Sequence, residues 1–85
     1  MPTFTQKVLH VVSKIPAGSV MTYGEVARAT GNPKAARAVG TIMKNNYDPA
    51  IPCHRVILSS GKAGAYNRGG EDAKKELLQR EGVEV

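Results

Sequence analysis

Apolar residues recur at helical spacing in the first part of the chain. Between Thr3 and Ile15, Phe4, Val8, Val11, Val12 and Ile15 share one side, with Gln6, Lys7 and Ser13 between them, which predicts an amphipathic helix. Pro16 and Gly18 stop it. Thr22-Tyr23-Gly24-Glu25 then has the capping-box form, in which Thr22 and Glu25 satisfy each other's free backbone donors. It opens a second helix over Tyr23 to Thr30, with Val26 and Ala27 facing inward and Gly31 as a left-handed cap. Asn32 and Pro33 suit the cap and first position of a third helix, expected from Pro33 to about Asn45. Two short helices joined by a tight glycine-containing turn form a helix-turn-helix pattern.

The pattern changes after Pro49. Prolines 49 and 52 exclude a regular helix, so Cys53 is placed on a constrained turn leading into a short strand, Arg55 to Leu58. A glycine-rich loop spans Gly61 to Gly70. A last helix is expected over Glu71 to Arg80, acidic at its positive end, basic near its negative end and terminated by Gly82. The expected architecture is a single domain over residues 1–85, mainly α with a short β element. A hairpin or strand lies beside the helix-turn-helix, and the C-terminal helix packs behind.

Length and composition narrow the setting. A chain of 85 residues holds one modest core, and no stretch approaches the roughly 20 apolar residues of a membrane-spanning helix. The start of the chain mixes polar and apolar residues, unlike a secretory signal. A lone cysteine forms no internal disulfide, which fits a reducing cytoplasm. The net charge of +5 suits a polyanionic partner, although many small basic proteins use such charge only for solubility. Alanines and Gly40 leave the third helix nearly bare around Arg37. They either favour helix and close packing, or let the backbone press against DNA while Arg37 reaches further.

Candidate chemistry centres on Cys53. A lone cysteine is by default a small buried apolar residue, but here prolines stiffen the segment and His54 and Arg55 follow, surroundings that favour thiolate. A nearby base can take the thiol proton. Adjacent side chains usually diverge, so His54 is expected to act through a water. No metal site is expected, because Cys53, His10 and His54 lack ligand spacing. The loop from Gly61 to Gly70 has no GKS/T sequence and is no phosphate loop.

Ile51-Pro52-Cys53-His54-Arg55-Val56 resembles the PCHRV signature of the 6-O-methylguanine-DNA methyltransferases. The segment from Pro16 to Ala27 resembles the P-x-G-x-V-x-[ST]-Y stretch of that family. The segment from Gly31 to Gly40 resembles its recognition helix, and Leu77-Leu78 with Glu81-Gly82 its C-terminal helix. The resemblance implies a winged helix-turn-helix-like C-terminal alkyltransferase domain acting as a monomer in the cytoplasm or on the nucleoid. The implied partner is double-stranded DNA containing alkylated guanine, bound through the minor groove, and the implied reaction is irreversible alkyl transfer without a cofactor.

The resemblance also implies residue roles. Cys53 is the alkyl acceptor, His54 the base acting through water, and Glu81 the carboxylate that orients it. Tyr23 helps extrude the nucleotide and protonates the departing guanine. Arg37 takes the vacated place in the stack, while Lys34, Ala35, Ala36, Ala38 and Gly40 lie against the DNA. Asn46 is the hinge to the cysteine loop, with Asn45 as a rival. Met43 packs on the base, the main chain at Cys53 and Val56 holds the guanine edge, and Tyr66 and Asn67 line the other side.

The sequence departs from the family in three places. Most members carry an N-terminal ribonuclease-H-like domain, and this chain begins where that domain would end. The loop between Asn46 and Cys53 is one residue shorter than in common members. The pocket loop, Gly64-Ala65-Tyr66-Asn67-Arg68-Gly69-Gly70, has Asn67 where many relatives have serine, and one extra residue, which bears on substrate range. A second expectation is a lesion-binding sensor of the alkyltransferase-like kind, which typically lacks the signature cysteine. A plain helix-turn-helix binder with an incidental cysteine is a third.

Overall fold

The structure is a computed structural model that describes residues 2–85. Four helices and two short strands follow in the order α1 (Phe4–Ser13), β1 (Met21–Thr22), α2 (Tyr23–Ala29), α3 (Ala36–Lys44), β2 (Val56–Ile57) and α4 (Gly70–Arg80), with a 3₁₀ turn at Cys53–Arg55 before β2.

Helix α1 starts on a capping box that the apolar pattern did not reveal. The Gln6 backbone N–H donates to Thr3 Oγ1 at 3.1 Å, and the Thr3 N–H donates to Gln6 Oε1 at 2.8 Å. It ends at Ser13, two residues short of Ile15, because the residue before Pro16 is pushed out of helical geometry. Val8, Val12 and Ile15 are buried, while Phe4 and Val11 are only partly so. They meet Val26 and Ala27 of α2 and Val39 and Met43 of α3 in one core that also takes in Cys53 and Val56. A smaller cluster of Ile57, Ala63 and Leu78 joins β2, the glycine-rich loop and α4.

Helix α2 begins on the Thr22–Glu25 capping box as expected. Its end explains why α3 starts late. Gly31 takes φ +89°, its N–H donates to Arg28 O, and the Asn32 N–H reaches back to Ala27 O. Asn32 is thereby used in closing α2 and does not cap α3. Residues 32–35 form a further turn, with Ala35 N–H donating to Asn32 O at 3.0 Å. Helix α3 runs from Ala36 without a side-chain cap, so the expected Asn32 cap and Pro33 start are corrected.

The β element is a pair of parallel strands, with Met21 opposite Val56 and Thr22 opposite Ile57. A hairpin is therefore ruled out, since parallel strands need a crossover, here α2 and α3. The strand expected over Arg55 to Leu58 shrinks to two residues, because Cys53–Arg55 form the 3₁₀ turn. Helix α4 begins one residue earlier than expected, and Gly82 at φ +89° closes it.

Candidate active site

Cys53 is held by the 3₁₀ turn at the inner wall of an open cleft of about 890 Å³. Tyr23 and Gly24 line it from α2, and Ala36, Arg37, Gly40, Thr41 and Met43 from α3. Leu58, Ala65, Tyr66 and Asn67 come from the following loop, and Lys74 from α4. Cys53 is only 4 % exposed. Burial would suit an inert core cysteine, but this sulfur borders the cleft and accepts a hydrogen bond from Asn46 Nδ2 at 2.9 Å. Asn45, the alternative to Asn46, is exposed just past α3, and its backbone N–H closes that helix on Thr41 O.

Behind the sulfur, His54 and Arg55 turn away from the cleft toward the end of α4. His54 Nε2 lies 3.0 Å from Glu81 Oε2. A carboxylate only accepts, so Nε2 carries a hydrogen, and when the ring is neutral its lone pair sits on Nδ1. Arg55 grips the same carboxylate with both ends of its fork, Nε to Oε1 at 2.9 Å and one terminal nitrogen to Oε2 at 2.7 Å. Its other terminal nitrogen donates to Ile15 O at 2.9 Å, tying the end of α4 to the turn after α1. The hydrogen bonds from Arg55, aided by His54 and opposed by burial, pull the Glu81 carboxyl down to about 2. The same Glu81 bond raises the Arg55 pKa. Nothing but the basic residue beside Cys53 marked Arg55 as part of this network.

Asn67 stitches the pocket loop to the end of α3. Its Nδ2 donates toward Met43 O at 3.3 Å, Lys44 O at 2.7 Å and Asn46 O at 2.9 Å. It thereby serves helix-end carbonyls and braces the backbone of the residue that touches the sulfur. Its own Oδ1 is buried without a hydrogen-bond partner among the described residues. Met43, Tyr66 and Asn67 thus meet at the cleft as expected. Val56, expected to act through its main chain, has its side chain fully buried in the core, and its N–H donates to Cys53 O.

The third helix divides the remaining expected residues. Arg37, Ala36 and Gly40 line the cleft, whereas Ala38 is exposed outside it. Lys34 and Ala35 precede the helix in the turn that delays its start, which corrects their expected place on it. Tyr23, at the first position of α2, has its pKa raised by burial and, to a lesser extent, by the charge of Cys53. Its hydroxyl oxygen lies 3.3 Å from Lys74 Nζ, a contact that sequence reasoning missed. The available signal was position, since Lys74 stands one turn before the buried Leu78 on the inward stripe of α4.

Residues 3–83 match the family described as "6-O-methylguanine DNA methyltransferase, DNA binding domain". The methylated-DNA–protein-cysteine methyltransferase of Methanothermobacter thermautotrophicus is 51% identical over 83 residues, which cover 96% of this chain and 46% of the relative. The chain spans about half the length of that relative, and 40% of the Cricetulus griseus protein of the same name. Alkyltransferase-like protein 1 of Schizosaccharomyces pombe is 44% identical over 87 residues, covering all of this chain and 81% of the relative. Its crystal structure with damaged DNA containing O6-carboxymethylguanine superposes with a TM-score of 0.86, covering 100% of this chain and 82% of that one. OGT of Mycobacterium tuberculosis, solved in complex with DNA, gives a TM-score of 0.88 at 42% identity, covering 96% of this chain and 50% of that one. With the family pattern running across nearly all of its residues, and a relative sharing half of them, this chain belongs to the family of the 6-O-methylguanine DNA methyltransferase DNA-binding domain.

Proposed function

We propose that this domain repairs alkylated guanine in double-stranded DNA by moving the alkyl group from the 6-oxygen of guanine to Cys53, once and irreversibly. The observation that carries the reading is a cysteine sulfur bordering an open cleft of about 890 Å³, with an amide N–H fixed on it at 2.9 Å. An alkyl carbon on guanine is out of reach inside a duplex, so the nucleotide is everted at a cost of roughly a few kcal/mol. Arg37, at the rim on α3, stacks in the gap and offsets part of that cost. Met43, Tyr66 and Asn67 hold the base.

The neutral His54 ring, oriented by Glu81, takes the thiol proton through a water at its free Nδ1. The thiolate attacks the alkyl carbon in line, a sulfur–carbon bond forms, and the carbon–oxygen bond breaks with its electron pair passing to guanine. Tyr23 donates a proton to the departing base, which leaves poorly as an anion. Because the sulfur and the base are both held in place, alignment supplies much of the rate. The product thioether has no hydrolytic route back. The reading calls on no cofactor, and it places a monomer on DNA in the cytoplasm or on the nucleoid.

A 6-O-methylguanine duplex incubated with the protein should leave one methyl group on Cys53, seen by intact mass and peptide mapping. Cys53→Ala should lose transfer while keeping lesion binding. One observation favours a second reading, a lesion sensor without transfer. Alkyltransferase-like protein 1 of Schizosaccharomyces pombe is 44% identical over 87 residues, and its complex with damaged DNA superposes with a TM-score of 0.86. Tight binding by the wild type with no gain in mass would establish the sensor and end the transfer reading.

A further inference from the structure

Asn67 and Arg68, neighbours in the pocket loop, direct their side-chain donors onto one short stretch of backbone. The Asn67 amide reaches Met43 O at 3.3 Å, Lys44 O at 2.7 Å and Asn46 O at 2.9 Å, and a terminal nitrogen of Arg68 donates to Asp48 O at 2.9 Å. In the middle of that stretch stands Asn46, whose Nδ2 donates to the Cys53 sulfur at 2.9 Å. Its other polar groups are engaged as well: the backbone N–H with Met43 O, Oδ1 with the Asp48 N–H, and the carbonyl with Asn67. Residues 45–48 lie between α3 and the 3₁₀ turn, outside any helix or strand, so no regular ladder holds Asn46 in place.

The Asn67 amide is not explained by packing. With Nδ2 set among three carbonyls, Oδ1 is left buried without a partner among the described residues, a cost that an apolar side chain of similar size would avoid. Turning the amide over would set its oxygen against carbonyl oxygens, so the orientation is fixed by its donors. Arg68 likewise places a guanidinium N–H on a neutral carbonyl and has no carboxylate in salt-bridge reach among the described residues.

We infer that Asn67 and Arg68 are positioning residues that act through Asn46, clasping the segment that carries it so that its amide hydrogen stays on the Cys53 sulfur. The inference rests on the alkyl-transfer reading and deepens it. An N–H aimed at sulfur favours the charged nucleophile over the thiol. A donor fixed before the reaction also needs no reorganisation as the reaction proceeds. The clasp reaches the reacting atom through one residue, and neither Asn67 nor Arg68 touches the sulfur itself.

Iodoacetamide at pH 7, a small electrophile that needs no everted base, tests this beside single-turnover transfer from a 6-O-methylguanine duplex. In the iodoacetamide reaction a sulfur–carbon bond forms, iodide leaves with the electron pair, and the thiol proton passes to buffer. Asn67→Ala and Arg68→Met should each slow alkylation of Cys53 by roughly 5- to 10-fold, the worth of one hydrogen bond. Asn67→Asp, of the same size but without a donor, should be no faster than Asn67→Ala, whereas Arg68→Lys keeps a donor and should recover most of the rate. In NMR spectra the Asn46 side-chain amide protons should exchange with solvent faster in the slowed variants. Combining either variant with Asn46→Ala should bring no loss beyond that of Asn46→Ala alone, because residues acting through one group are not additive. Additive losses, a wild-type rate in Asn67→Asp, or unchanged rates in folded Asn67→Ala and Arg68→Met overturn the inference, as does a wild-type Cys53 that iodoacetamide leaves unmodified. Should Asn67→Ala fail to fold, Arg68→Met and Arg68→Lys decide the matter. A wild type that reacts with iodoacetamide but gains no methyl group from the duplex defeats the transfer reading alone, and the variant rates still judge the clasp.

Discussion

Glu81 is a carboxylate at the C-terminal end of a helix, where the helix dipole repels it. It stays because Arg55 binds it in a fork and His54 adds a third contact. Its folded pKa of about 2 lies below the ordinary 4.5, so the unfolded chain binds the proton more readily between those values. The resulting stability is fully present above about pH 4.5 and is lost as pH falls toward 2. Part of the carboxylate is solvated, which discounts the contribution to roughly 2 kcal/mol. Urea titrations at pH 7 and pH 3 should show the wild type losing stability over this interval and Glu81→Gln losing much less. Equal acid losses in the two proteins would mean that the carboxylate is held by something other than its charge. Arg55 was readable as a neighbour of the cysteine but not as the clamp on Glu81, because no local pattern links residues 26 apart.

At the scale of elements, the start of α2 does two jobs. Thr22 pairs with Ile57 in the parallel sheet and also caps the helix whose first residue is Tyr23. One hydroxyl therefore fixes the strand-to-helix switch that aims the tyrosine into the cleft. Thr22→Ala should cost about 1 kcal/mol, a fall of roughly 4–8 °C in Tm for a domain of this size. Transfer should slow as well, since Tyr23 loses its fixed entry. Circular dichroism melts with single-turnover rates would check both, and an unchanged Tm would show that the Glu25 half of the box suffices. The capping box was legible in the sequence because its partners are three residues apart. The start of α3 was not, because the Asn32 backbone is used in closing the preceding helix.

The whole molecule is small, with a Cα radius of gyration of 11.8 Å and a cleft that opens between its helical core and the α4 layer. On the proposed reading, its net charge of +5 should make affinity for DNA fall with salt, by about 0.9 in log–log slope for each phosphate neutralised. Lys34, exposed in the turn before α3, should act on phosphate, so Lys34→Ala should reduce that slope by about 1 for damaged and undamaged duplex alike. Arg37→Ala should instead weaken binding to the lesion more than to undamaged DNA, because everting the base is the step the proposed function assigns to it. Fluorescence anisotropy across a salt series separates the two, and equal losses on both duplexes for Arg37→Ala would remove its finger role.

Periodicity and capping act over three or four residues, so the four helices, the Thr22–Glu25 cap of α2 and the order of motifs around Cys53 could be read along the chain. The sequence also placed Met43, Tyr66 and Asn67 near the cysteine, through the family pattern and not through any local rule. Folding was needed to show that the strands pair in parallel, that the Val56 side chain belongs to the core and that Asn46, not Asn45, reaches the sulfur. It alone brought Lys74 to Tyr23 across 51 positions of chain and Glu81 to His54 across 27. Those meetings depend on how helices pack about a shared core, a property of the folded surface that no short stretch of residues encodes.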